Sequence, residues 1–300
     1  MASGEEAPCC DWRSEVRSGG ALREVELENG VNGWSAPPGG SFNVRGKDYL
    51  SKRVKVKSEE CLLAPLGVDW LRSPVKLDHV LGRSDNRVMA DLRKAQRKGE
   101  ALKSFIFAVN LQVPGREHHS AVFYFVTEDP IPPGSLFYRF IHEDDAFRNS
   151  RFKLINRIVR GPWIVKGAVG NHAACILGKA LTCNYLKGPN YLEIDVEIGS
   201  SALASTLVHL SLGYVNCVTV DMAFLVESQT EEDLPERILG AVRIAQIDMA
   251  SAHPVNNDGG EKMPGVSGQQ VSGFAWRKIG RGLSITGHKV DPEEEVNNHQ

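Results

Sequence analysis

The sequence predicts an α+β fold: a curved, mainly antiparallel β-sheet packed around a central helix, with an amphipathic basic helix on the outside. Apolar and polar residues alternate over several short segments, which is typical of half-buried strands. Residues 200–214 contain no Asp, Glu, Lys or Arg and have leucines at helical spacing, so they predict the central helix. At helical spacing, residues 145–159 have apolar side chains on one face and Lys and Arg on the opposite face, which predicts the outer helix.

Length and composition are those of an ordinary globular protein. The 300 residues are 42% hydrophobic and 24% charged, which is enough apolar surface for a core without metals or disulfides. The formal net charge of -2 lacks the strong basic excess of nucleic-acid-binding domains, so we predict no nucleic-acid partner. The first thirty residues have no apolar run, which excludes a cleaved signal peptide and predicts a cytoplasmic protein with reduced cysteines.

Three regions follow from the composition along the chain. Residues 1–33 are polar and Gly-rich and predict a flexible leader, in which Cys9 and Cys10 are either incidental or sites for acyl chains. Residues 34–249 predict the folded domain, and residues 250–300 predict a disordered tail. Within that tail, residues 273–281 combine two aromatics with three bases, which suits a protein partner's groove, an anionic lipid surface or a fold back onto the domain.

The first half of the domain predicts strands and one helix. Val54 and Val56 alternate with basic residues in a half-exposed strand whose outer face is strongly basic. Residues 85–99 predict a helix that ends at a glycine. Residues 104–113 and 121–127 predict two strands, joined by a turn-rich link, that form the centre of the sheet.

The second half of the domain predicts the outer helix, the central helix and the remaining strands. Glycine and proline at 161 and 162 end the outer helix. The strands are predicted over residues 163–169, 175–186, 190–198, 217–226 and 238–247. In the strand 190–198, apolar residues alternate with Glu193, Asp195 and Glu197, which predicts one solvent-exposed face. The uncharged stretch 198–220 is too rich in serine, threonine and glycine for a transmembrane segment, and we predict none.

Charge is segregated in the middle of the chain, where residues 146–192 contain eight Lys or Arg residues and no acid. A basic helical face would be attracted to anionic membrane lipids. We therefore predict a lipid-binding face, with the alternative that acids elsewhere, such as Glu193, Asp195 and Glu197, offset a merely solvated surface. Its predicted residues are Arg148, Arg151, Lys153, Arg157, Arg160 and Lys166.

A second hypothesis is a lipid-binding or lipid-transfer protein with an apolar cavity covered by a helix. The residues proposed to line this cavity are Phe105, Phe107, Phe123, Phe125 and Leu207. The alternative is that these side chains form plain core, which is the usual place for large apolar residues.

The motifs of common enzymes are missing from the sequence. Residues 142–145 place a histidine beside three acids, which suits the capping of a helix better than metal binding. His172 and Cys175 have a ligand-like gap without a second pair. We predict no catalytic residues, cofactor or metal, while a site assembled from His172, Asp221 and a cysteine or serine remains the enzymatic alternative.

Several motifs resemble one plant family. They are SFNVRG at residues 41–46, GPWIVK at 161–166, NYLEIDVEIGSS at 190–201 and VDMAFL at 220–225. The sequence from about residue 34 to 248 resembles the C-terminal domain of the Enhanced Disease Resistance family. Larger members carry a pleckstrin-homology and a START module ahead of this domain, and we expect neither in this chain.

The resemblance implies a role in plant defence and in the regulation of cell death. It implies no catalytic residue. Combined with the basic face, it predicts a non-enzymatic regulatory domain that associates with anionic membrane lipids. The expected location is cytoplasmic, peripheral on the plasma membrane or endomembranes.

Overall fold

The computed structural model describes residues 11–169, 172–202, 204–206 and 213–255. Its strands are β1 (Gly33–Ser35), β2 (Asn43–Arg45), β3 (Lys55–Lys57), β4 (Ala64–Ser73), β5 (Phe105–Val113), β6 (His118–Thr127), β7 (Phe152–Arg160), β8 (His172–Ile176), β9 (Thr182–Lys187), β10 (Tyr191–Glu197), β11 (Thr219–Val226), β12 (Ile238–Ala245) and β13 (His253–Pro254). Its helices include α1 (Trp12–Ser18), α2 (Tyr49–Lys52), α3 (Arg87–Arg97), α4 (Leu136–His142), α5 (Asp145–Arg151), α6 (Trp163–Val169) and α7 (Leu177–Ala180).

Most strands belong to two sheets. Six strands form the first sheet in the order β13-β4-β6-β5-β10-β9, and five form the second in the order β1-β12-β11-β7-β8. Pairing is antiparallel except between β5 and β10 and between β4 and β13. The predicted α+β class and the mainly antiparallel pairing are confirmed, with two open sheets in place of one.

Aromatic side chains fill the space between the two sheets. The ring of Phe224 on β11 lies 5.6 Å from that of Phe123 and 6.0 Å from that of Phe125, both on β6. Opposite Phe125, β12 carries Gly240, where a Cβ would lie 2.3 Å from the Phe125 ring. Glycine therefore permits the close approach of β12 to the Phe125 ring at this point.

Helices α1 and α3 cover the outer face of the first sheet. Trp12 and Val16 of α1 are buried in one cluster with Val88 and Leu92 of α3. This part of the chain was predicted as a flexible leader, and the structure instead packs it into the domain. Composition missed the packing because the few apolar residues of the segment stand one helical turn apart rather than in a run.

A small hairpin of β2 and β3 covers the outer face of the second sheet. Phe42 and Val44 are buried there against Ile155, Ala223 and Leu225. The second sheet therefore has apolar packing on both faces.

The outer basic helix predicted over residues 145–159 is instead two elements. Helix α5 ends at Arg151, and residues 152–160 form β7, which pairs with β11 from Phe152 opposite Val226 to Arg160 opposite Thr219. The apolar positions of this segment fit a period of 3.6 and, from residue 152, also a period of two. Pairing within the sheet selects the strand. The predicted stop at residues 161 and 162 agrees with the end of β7.

Parts of three predictions fall outside the described residues. Of the central helix predicted over 200–214, residues 202 and 204–206 are helical, and most of the remainder is not described. The predicted tail is described as far as residue 255, where β13 pairs with β4 in place of the expected disorder. Cys9, Cys10 and the segment 273–281 lie outside the description.

Candidate functional site

Arg148, on helix α5, is buried. Its Nε and Nη2 atoms donate hydrogen bonds to the backbone oxygens of Phe140 and Ile141, both at 2.9 Å, and its Nη1 atom lies 2.6 Å from Asp145. The two carbonyls belong to the last turn of α4, where backbone oxygens lack partners within the helix. Arg148 therefore caps α4 and joins it to α5, and its guanidinium does not face solvent.

Arg151 is also buried, in a cluster around Asp233. The Asp233 carboxylate lies 3.1 Å from Arg151 and 2.9 Å from Arg139, and both guanidinium groups contact the ring of Phe147. Burial acts to raise the pKa of Asp233, but a hydrogen bond from the backbone N–H of Gln229 and the two arginines together hold it below its usual value. Asp233 is thus ionised, and it neutralises Arg151, whose positive charge was predicted to bind an anionic lipid.

Lys153 and Arg157 project from β7 towards carboxylates of the same face. The Lys153 Nζ atom lies 2.9 Å from Glu236, and both residues are buried. Arg157 shares the fully buried Asp221 carboxylate with Arg243 of β12. Lys153 is thus buried with its partner, and Arg157, whose side chain is 28% exposed, is paired with a buried carboxylate. The prediction of a lipid-binding face is therefore wrong for Arg148, Arg151, Lys153 and Arg157, which the domain uses for its own stability.

Arg160 and Lys166, the two remaining cations of the predicted face, lie on either side of the turn from β7 into α6. Neither takes part in the ion pairs found among residues 11–169, 172–202, 204–206 and 213–255. Between them Trp163 is 83% exposed, and Ile164 beside it is 37% exposed. With Val159, which is 39% exposed, these residues form a surface that we call the Trp163 corner.

The Trp163 corner is attached to the domain through a small apolar cluster. Val165 of α6 is 1% exposed and packs against Ile158 and Val218. The backbone oxygen of Pro162 accepts hydrogen bonds from the N–H groups of Val165 and Lys166, which begins the helix. Because Val165 faces inward, the two preceding residues are held at the surface. This segment was predicted as a strand, and the structure forms helix α6 instead. In this helix Val165 is buried and Trp163 is exposed.

The comparisons with known proteins agree with the sequence motifs. Residues 34–248 match the family model described as Protein ENHANCED DISEASE RESISTANCE 2, C-terminal. The chain belongs to this family. It is 44% identical over 239 residues to a protein of Arabidopsis thaliana named Protein ENHANCED DISEASE RESISTANCE 2-like, a match that covers 80% of this chain and 32% of that protein. The chain therefore spans about a third of the length of this relative. No solved structure matches the chain.

In this Enhanced Disease Resistance 2 C-terminal domain, three of the five residues predicted to line an aromatic cavity belong to the core. Phe107, Phe123 and Phe125 are fully buried and pack against other rings between the sheets. Phe105 lines a small cleft of about 260 Å³ near His142, and Leu207 lies outside the described residues.

A more apolar cleft of about 430 Å³ lies where the two sheets separate. Phe137 and Leu136 of α4 and the prolines at 130 and 132 line one side, and Leu239 lines the other. No sequence pattern indicates this cleft, since its lining comes from four stretches of the chain between residues 62 and 239.

The contacts of Asp221 do not favour the enzymatic alternative, in which Asp221 would be the acid of a catalytic site. Asp221 is occupied by Arg157 and Arg243 and is not directed into a cleft. Burial raises the pKa of Cys61 to about 11 and that of Cys183 to about 12, which opposes formation of a nucleophilic thiolate. Among the described residues, three or more His, Cys, Asp or Glu side chains nowhere approach one another as metal ligands would.

Helix length also bears on membrane contact. Within the described ranges, every helix is too short or too polar to cross a bilayer.

Sequence reasoning also missed a buried acid pair in the family domain. Glu193 and Asp195 were predicted on a solvent-exposed face of β10, but they are 0% and 1% exposed. The two Glu193 carboxylate oxygens accept hydrogen bonds from the N–H groups of Val80 and Leu81 at 2.6 and 2.7 Å, and Asp195 accepts one from that of His79 at 2.9 Å. The pair thus binds the turn over residues 79–81 to the sheet. Burial, and then the neighbouring Asp195, raise the pKa of Glu193 well above its usual value.

Proposed function

We propose that this domain is a non-enzymatic regulatory module that associates with anionic membrane lipids through the Trp163 corner. By family resemblance, its role lies in plant defence and the regulation of cell death. The observation that carries the proposal is the 83% exposure of Trp163, since a tryptophan is rarely left in water without a partner.

The side chains of the Trp163 corner suit the interface of a bilayer. Tryptophan has an apolar ring and a polar N–H group, and it is enriched at the level of lipid headgroups. Ile164 and Val159 add exposed apolar surface beside it. A surface of this kind gains free energy by entering the boundary between headgroups and acyl chains.

Electrostatics supports the preference for anionic lipids. Arg160 and Lys166 flank the apolar residues, and a basic group near an anionic membrane contributes about 1 kcal/mol. Two such groups and one aromatic side chain support a reversible, peripheral association. This reduced basic surface replaces the six-residue face predicted from the sequence.

Sedimentation with vesicles tests the proposal. Trp163→Ala is expected to lower binding to vesicles of phosphatidylcholine and phosphatidylserine about tenfold, because the apolar contact is lost. Arg160→Glu with Lys166→Glu is expected to abolish the preference over pure phosphatidylcholine vesicles. Leu102→Ala is the matched control, since Leu102 is 68% exposed on a different surface. Equal loss of vesicle binding in Leu102→Ala and in Trp163→Ala would contradict a role of the Trp163 corner in lipid binding.

The second candidate function is lipid carriage in the cleft beside Leu239. Its volume of about 430 Å³ lies within the range of ligand pockets. Native mass spectrometry of the purified chain separates the two functions. Membrane association alone predicts the mass of the chain, whereas a lipid-sized adduct would favour carriage.

A further inference from the structure

The β2–β3 hairpin presents a second basic surface, formed by residues other than the six cations predicted from the sequence. Every residue from 51 to 57 is exposed. Over residues 47–57 the chain has one acid, Asp48, and five bases, which we call the basic hairpin set: Lys47, Lys52, Arg53, Lys55 and Lys57. The excess of positive charge is concentrated in a segment of eleven residues.

Strand register directs two of these lysines away from the domain. Val44 on β2 is directly opposite Val56 on β3, and Val44 is buried against the second sheet. Successive side chains of a strand point to opposite faces. Lys55 and Lys57 therefore point outward, while Val56 lies at the edge of the buried face.

Most of this charge is not neutralised within the domain. Lys52 pairs with Asp48 at 2.9 Å, but both side chains are more than half exposed, so the pair is weak. In the part of the chain that the structure describes, no carboxylate forms an ion pair with Lys47, Lys55 or Lys57. This sets the hairpin apart from Lys153 and Arg157 of β7, which pair with the buried carboxylates of Glu236 and Asp221.

The hairpin is fixed to the domain by partly buried polar contacts. The Arg45 backbone N–H donates to the Glu236 carboxylate at 2.9 Å, and its Nη1 atom donates to the Ser228 oxygen at 2.7 Å. Glu236 in turn donates its backbone N–H to the Arg45 oxygen. A surface held in this way binds a partner without a large loss of conformational entropy.

We propose that the β2–β3 hairpin is a docking surface for an anionic lipid bilayer, separate from the Trp163 corner. The charge excess attracts an anionic surface. Val54 and Val56, which are 50% and 42% exposed, distinguish a bilayer from a nucleic acid, because a phosphate backbone binds the cations but does not accommodate exposed aliphatic side chains. The inference goes beyond the proposed function, since it holds whether or not Trp163 enters the bilayer.

The test uses the full chain and vesicles of phosphatidylcholine with phosphatidylserine. Lys47→Glu, Lys55→Glu and Lys57→Glu together are expected to lower binding at least about tenfold, and by less as salt is raised. The matched control reverses three exposed bases in and directly after α3, namely Arg93→Glu, Arg97→Glu and Lys98→Glu, which gives the same change in net charge elsewhere. Thermal denaturation checks that both variants remain folded, and Lys55→Gln with Lys57→Gln provides a milder variant with a smaller expected loss.

Each outcome has one meaning for the hairpin. A loss in the hairpin variant that exceeds the loss in the α3 variant supports the inference, and equal losses overturn it. Loss of binding to a single-stranded oligonucleotide without loss of vesicle binding also overturns it. Trp163→Ala measured in parallel keeps the two surfaces distinct: no effect of that substitution contradicts the proposed function and leaves the hairpin result standing.

Discussion

At the scale of single residues, the structure shows why an alternating pattern did not define a solvent-exposed face. Glu193 and Asp195 follow the alternation of a half-buried strand, yet both are buried beneath the turn over residues 79–81. Their partners are backbone N–H groups more than 100 residues away, which no local pattern reports. The strand itself was predicted well, because its apolar residues fix the face that packs between the sheets.

The buried acid pair makes stability depend on pH. The raised pKa of Glu193 means that the folded state keeps a proton which the unfolded chain releases above about pH 4.5. Stability is therefore expected to fall as the pH rises from that point through the raised pKa. Glu193→Gln cannot ionise, so its free energy of unfolding should change less with pH.

Urea denaturation between about pH 5 and about pH 7 measures this slope, which is independent of any constant loss caused by the substitution. Glu231→Gln, at an exposed carboxylate, is the control and should keep the slope of the unchanged protein. Equal slopes for Glu193→Gln and the unchanged protein would show that Glu193 is ionised in the folded state.

At the scale of elements, residues 145–160 show where the sequence was ambiguous. Asp144 and Asp145 correctly predicted the start of a helix, and residues 161 and 162 correctly predicted the end of the segment. Between them the change from α5 to β7 at Phe152 has no local marker. The strand forms because β11 offers hydrogen bonds along its whole length, and Arg157 then faces Asp221 directly across the pair. Tertiary pairing overrides the local helical pattern.

The shared carboxylate of Asp221 is expected to be important for the second sheet. Asp221→Asn leaves Arg243, which is 6% exposed, without its charged partner, and loss of one member of a buried pair costs about 3–5 kcal/mol. Asp48→Asn is the control: its carboxylate is 57% exposed and pairs with Lys52, which is 67% exposed, so the expected cost is below about 1 kcal/mol. Urea denaturation of both variants measures the difference, and similar values would contradict a structural role for the Asp221 cluster.

At the scale of the whole molecule, the excess of basic residues over residues 146–192 is offset by acids from distant parts of the chain. Arg157, Arg151 and Lys153 are neutralised by acids that follow 64, 82 and 83 residues later in the chain. A count of charges in a window cannot find such partners. Composition and periodicity were sufficient for the α+β class, whereas the exposed surfaces at Trp163 and at the basic hairpin depend on which faces the two sheets cover.

The fluorescence of Trp163 tests the membrane account most directly. Trp12, Trp34 and Trp70 are buried, so in a Trp276→Phe background the change in emission on binding should come from Trp163. With anionic vesicles that contain brominated lipid, the expected result is a blue shift and quenching that are lost in Trp163→Phe. Vesicle binding without any change in Trp163 emission, or the same change after Trp163→Phe, would contradict the claim that this residue enters the bilayer.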